Sequence, residues 1–186
     1  MSRSDPVWRS ALRDRSGVTA IEFAIILPVM ITILLGATQF AETVQTRLAD
    51  ETAAYQIADL VSRCRTVATS DLTDAFAAAS LIINARKARP SGYAYYVASV
   101  SFNASTGAPV LDWRSDAGTP LTSSGAILTK ATGQRAAGES VIIAGVDYSY
   151  QPAGSGGPTV VLSDVAMLSP RLVAKIPQST ACDWSL

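Results

Sequence analysis

From Val18 to Ala41 the chain carries a single ionisable side chain, Glu22. As a helix rising about 1.5 Å per residue this stretch is about 36 Å long. A bilayer's hydrocarbon core is about 30 Å thick, so residues 18–41 are predicted to cross a membrane once. Ahead of the run stand Arg3, Arg9, Arg13 and Arg15 against Asp5 and Asp14, whereas the stretch from Glu42 to Val61 holds Arg47 as its only basic residue. Positive charge stays on the cytoplasmic side, which predicts a cytoplasmic N-terminus. A cleaved secretory signal fits poorly. Its apolar core is typically about 7 to 15 residues, and cleavage after Ala41 would set Gln39 at the minus-three position, where a small side chain is wanted.

Glu22 is what a plain anchor does not explain. A carboxylate in a membrane helix costs on the order of 2.5 to 3.5 kcal/mol at mid-depth, less near an interface, so it calls for a cation. If the chain were cut after Gly17, the new α-amino group of Val18 would stand at the same end of the same helix. In a staggered bundle of such helices it could pair with Glu22 of a neighbour.

These residues resemble a type IV prepilin of the Flp or tight-adherence (Tad) branch (type IVb/IVc), in particular its TadE/TadG-like minor pilins, also called pseudopilins. The resemblance rests on Gly17 closing a short basic leader, on Glu22 and Phe23 in an "EFA" variant, and on Pro28 with the "LLG…FAE" ending of the run. "YSYQP" and "MLSPR" further on look like the closing strands of TadE-like proteins. It implies a cytoplasmic leader over 1–17, cut between Gly17 and Val18 by a prepilin peptidase, and Glu22 with Phe23 as assembly and recognition residues. The implied partners are other Tad/Flp pilins and the inner-membrane assembly platform. The implied role is pilus assembly or initiation and surface adhesion, from the bacterial inner membrane or from within an extracellular pilus. Cleavage would leave everything from Val18 to Leu186, a far longer product than the short peptide of a major Flp pilin, which favours the minor class. The rival reading is a single-pass, membrane-anchored periplasmic scaffold or binding protein that never polymerises.

The composition argues against other classes. No histidine is present, which removes the usual general base and commonest metal ligand. The 15 basic residues balance the 15 acidic ones, so no electrostatic footprint for nucleic acid is visible. Lys87, Lys130 and Lys175 stand in no S-x-x-K motif. Asp112, Asp116, Asp147 and Asp164 lack calcium-loop spacing and read as turn and edge-strand residues. "GSGGP" lacks the phosphate-loop order and reads as a hairpin turn within 152–157. No enzyme activity, cofactor or metal is expected. Cys64 and Cys182 are not spaced for zinc or C-x-x-C redox chemistry, and are expected to form a disulfide tying the tail to the stalk, two unpaired thiols being the alternative.

Beyond the membrane the helical period continues to about Arg65, with Phe40, Val44, Leu48, Ile57, Leu60, Val61 and Cys64 broadly on one side. Residues 42–66 are therefore read as a helical stalk and 67–186 as a periplasmic head. Pro28 is expected to kink or loosen the helix. A second helix is predicted over 70–88, capped by Ser70 or Asp71, with Leu72, Phe76, Ala79 and Ile83 facing a core and the basic "ARKAR" at its end. Strands follow in "YAYYVASVSFN", "APVLDWR", "ESVIIAGVDYSYQP" and "TVVLSDVAML", the third greasier on its Ile142, Ala144, Val146 side. Residues 115–138 read as loop, and Trp113 and Trp184 as packing anchors. The class is α+β and pilin-like: a long N-terminal helix, a second helix and a C-terminal antiparallel sheet of about four strands.

Overall fold

A computed structural model describes residues 16–86, 92–150 and 160–183. The expected leader residues 1–15, most of the basic cluster after the second helix, the hairpin turn at 152–157 and Trp184 lie outside the described residues. The chain is α+β. Among the described residues its elements are α1 (Ser16–Ser62), α2 (Thr69–Arg86), β1 (Tyr93–Phe102), β2 (Pro109–Ala117), α3 (Ser124–Ala131), β3 (Ser140–Tyr150) and β4 (Val160–Leu168). It divides into two compact units, Met1–Glu42 and Thr43–Leu186.

The described part of the first unit is helix. Its large apolar side chains, from Val18 and Ile21 through Phe23 and Ile33 to Phe40, are exposed. The most apolar window of α1 has a mean hydropathy of 2.5 and no buried residue, so the helix is long and apolar enough to cross a membrane by length and composition. Such a surface is costly in water and is stable where lipid or a like surface covers it.

In the second unit the sheet has the order β2-β1-β3-β4 and every neighbouring pair is antiparallel. Val97 of β1 and Ile142, Ala144 and Val146 of β3 pack on Ala53, Ala54, Ile57, Ala58 and Val61 of α1 and on Leu72, Phe76, Ala79 and Ile83 of α2. The buried stripe of α1 is thus largely alanine, whose small side chains let the helix lie close to the strands. The expected stripe is corrected here: Val44 and Leu48 are exposed, while Ile57, Val61 and Cys64 are buried as a core face requires.

The opposite sheet face is covered as well. Tyr96, Ala98, Val100, Val141 and Ile143 pack against Ile127 and Ala131 of α3. One expectation falls with this finding. Residues 115–138 are not all loop, since β2 runs to Ala117 and α3 forms at Ser124–Ala131, its start fixed by Ser123 Oγ accepting from the Ala126 amide at 3.2 Å. On β3 the row Val141, Ile143 is buried as completely as the greasier row Ile142, Ala144 and Val146.

The second helix starts one residue earlier than expected and its described end is Arg86. Asp71 serves its start by reaching back: its Oδ2 accepts from the Ala68 amide at 2.8 Å, the returning half of a capping box. Leu72, Phe76, Ala79 and Ile83 face the core.

Candidate functional site

Gly17, Val18, Glu22 and Phe23 all lie in the first turns of α1, and Val18 and Glu22, four residues apart, share one side of it. Val18, Glu22 and Phe23 are exposed, and a Cβ built on Gly17 meets nothing within 4 Å. Backbone and side chains at this end are open to another protein. Pro28 sits inside α1 and has no amide to offer the helix ladder, yet the helix continues through it. Thr32 Oγ1 donates to the Pro28 carbonyl at 2.8 Å.

The second group of sequence-predicted residues gathers elsewhere. Cys64, just past the end of α1, and Cys182 are bonded, with their Cα atoms 5.1 Å apart. They close a strap, residues 169–183, that returns from the end of β4 to the α1–α2 junction. The Arg171 amide donates to the Ser62 carbonyl at 2.9 Å, and Val67 and Gln178 form a parallel bridge in which the Val67 amide donates to Pro177 and the Ser179 amide to Val67. Trp113 Nε1 donates to the Ile176 carbonyl at 2.8 Å, and Ile176 is fully buried. Trp113 is therefore a packing anchor, with the strap as its partner.

Several charged residues at the strap gave no signal in the sequence, because their partners are far away along the chain. Asp59 pairs with both Arg63 and Arg171. Lys175 pairs with Asp112, whose other contacts are Ser99 and Ser101 of β1. Asp71 Oδ2 also accepts from the Cys182 amide at 2.7 Å. Asp59, at i−4 from Arg63, was the one pair that helical spacing could have flagged.

Asp147 corrects the turn and edge-strand reading, since it lies in the central strand β3 and is buried. Its carboxylate accepts from the Thr122 amide at 2.7 Å and the Thr122 hydroxyl at 2.9 Å, tethering the stretch that leads into α3. On β4, burial pushes the Asp164 carboxyl above its ordinary range, Arg47 and Lys130 draw it down, and Glu51 adds to the rise. Burial also pushes Tyr95 and Tyr96 up to about 12. Among the described residues no group of three or more Cys, Asp or Glu side chains is arranged to hold a metal ion.

Residues 17–59 match the family of TadE-like proteins. The match covers most of α1 and begins at Gly17. No curated protein and no solved structure matches the chain. An apolar N-terminal helix of this kind is consistent with a membrane anchor.

Proposed function

We propose that the chain is a minor pilin of a Tad pilus. It is inserted with residues 1–17 in the cytoplasm and 18–41 across the inner membrane, and its C-terminal part lies in the periplasm. A prepilin peptidase cuts between Gly17 and Val18, where a residue without a side chain lets catalytic groups approach the backbone. The freed Val18 amine of one subunit then meets Glu22 of another, and Phe23 packs beside that pair. Neither charge is worth its desolvation alone, so the pair forms only where two processed helices lie side by side, which makes it a register and recruitment device. Other Tad pilins and the inner-membrane assembly platform supply those helices, and the finished subunit primes or joins a fibre that adheres to surfaces.

The observation that carries this reading is the TadE-like match beginning at Gly17, with Glu22 standing one helical turn into an exposed apolar helix. The test is Glu22→Ala in cells that build the pilus. The variant stays in the membrane at the wild-type level but no longer co-purifies with the other pilins. Co-purification at the wild-type level would refute the role of Glu22.

A further inference from the structure

One end of the second unit gathers apolar and uncharged side chains, and it is the end at which the chain enters. Leu48 to Tyr55 of α1 lie alongside Val165 to Met167 of β4, and further on the Arg171 amide meets the Ser62 carbonyl, so the helix and β4 run in the same direction. From Val165 back to Val161 is about 13 Å of strand and from Thr52 back to Thr43 about 13 Å of helix, which sets Val161 level with Thr43. Pairing brings the start of β1 and the end of β3 to the same rim, since Tyr93, Tyr148 and Leu162 stand in one row. There the half-buried rings of Tyr93 and Tyr148 stack with centroids 4.1 Å apart and planes 4° from parallel. The loop after β2 reaches the rim as well. Gly118 lies against the Tyr93 carbonyl and Ala94, and the Thr122 amide donates to Asp147, with Leu121 between them 60% exposed. Val161 of β4 is 52% exposed.

Among the described residues of these strand ends and this loop, the other exposed ones, Gly92, Thr119 and Ser149, carry no charge, and Asp147 is buried and engaged by Thr122. Apolar residues scattered over a surface need no explanation, but a rim without exposed charge that joins a stacked tyrosine pair to two large aliphatic side chains does. Tyrosine, apolar in body and polar at its tip, concentrates where a membrane meets water. Thr43 stands two residues beyond Ala41, the end of the predicted span, which is about 3 Å of helix. The headgroup layer is about 5 to 7 Å deep on each side of the hydrocarbon core, so the chain itself keeps the rim within reach of it. We infer that this rim is a membrane-contact surface, with Tyr93, Tyr148, Leu121 and Val161 set in the phospholipid headgroup layer where the span leaves the bilayer. This rests on the crossing by residues 18–41 in the proposed function, and not on cleavage or assembly.

Cys64 and Cys182 are bonded to each other, so a cysteine added to the full-length chain is its only free thiol. Leu121→Cys, Val161→Cys and, as the control, Val110→Cys are exposed changes that leave the core untouched. Each carries a nitrobenzoxadiazole label in vesicles of phosphatidylethanolamine and phosphatidylglycerol doped with a lipid bearing a nitroxide on its headgroup. Val110 pairs with Ser101, about 26 Å of strand from Tyr93, so both rim labels should be quenched about fivefold more strongly than the control. Either rim label quenched no more than Val110 overturns the inference. In cells building the pilus, benzoylphenylalanine at Val161 should give a phospholipid adduct in the membrane fraction. No lipid adduct there, or one with a second copy of this chain or another protein in its place, also overturns it. A label at Ile33→Cys, inside the predicted span, separates this from the proposed function, because it is shielded from aqueous iodide wherever 18–41 crosses the bilayer. Shielding at Ile33 without quenching at the rim sinks the rim contact alone, whereas an unshielded Ile33 sinks the crossing and the proposed function with it.

Discussion

Gly145 lies in β3 directly opposite Tyr96 of β1, and a Cβ built on it would stand 2.3 Å from Tyr96 Cζ and 2.4 Å from the hydroxyl oxygen. Ordinary carbon contacts are about 3.5 to 4.0 Å, so Gly145→Ala must drive the ring back by more than about 1 Å. The ring has nowhere to go. Tyr96 is wholly buried, and the Arg114 guanidinium carbon lies 5.4 Å from its ring centroid. Overpacking of this kind costs about 1 to 3 kcal/mol and occasionally more, and a clash this close belongs at the upper end, about 3 kcal/mol. The reason is steric rather than conformational, because Gly145 is not among the glycines with positive φ. A Tyr96→Ala background removes the ring, and there the same change should gain about 0.5 to 1 kcal/mol, since alanine loses less backbone freedom in a strand than glycine. The assay is urea unfolding of the detergent-solubilised full chain, followed by tryptophan fluorescence. At a slope of about 1 to 3 kcal/mol per molar, Gly145→Ala lowers the midpoint by about 1 M or more in the wild type and leaves it level or raises it in Tyr96→Ala. An equal cost in both backgrounds would refute the reasoning.

Other outcomes follow from the strap and from β4. Cys182→Ser removes closure of a loop spanning 118 residues, worth about 4 to 5 kcal/mol from chain entropy, reduced because hydrogen bonds still hold the strap. The Val67 and Ser179 amides should therefore gain hydrogen exchange before those of β3, and unchanged exchange at both would contradict the strap's dependence on the disulfide. Asp164 holds its proton more tightly in the fold than in the unfolded chain, so the stability it contributes is present below the ordinary carboxylate range and falls as pH rises through it. Asp164→Asn should consequently be more stable than the wild type at pH 7, with the gap closing toward pH 3. A gap that is constant across that range would show that the carboxyl is not raised.

Elements defined by long periodic runs could be read from the sequence, and those defined by distant partners could not. The apolar run with its lone carboxylate announced α1, and Leu72, Phe76, Ala79 and Ile83 marked the buried face of α2. The four strand runs emerged as β1 to β4, but their order depends on pairings that no local pattern records. α3 escaped because its eight residues include a glycine and lie in a Gly-, Ser- and Thr-rich stretch; Ile127 and Ala131, four apart behind the Ser123 cap, were the available signal. The membrane-proximal part of the α1 stripe was misplaced because Val44 and Leu48 outweigh alanine on any hydrophobic pattern, whereas close packing on a sheet selects the smaller side chain. The strap had no pattern at all beyond Cys182, the partner of Cys64. Its ion pairs and backbone bridge join residues from opposite ends of the unit.

The central claim is that a processed N-terminus supplies the charge that makes Glu22 tolerable in a membrane helix. Intact-mass and N-terminal peptide mass spectrometry on the protein from pilus-producing cells tests it most directly. The account predicts a chain beginning at Val18. A chain beginning at Met1 in cells that are making fibres would contradict it, and would favour an anchored periplasmic protein that never polymerises.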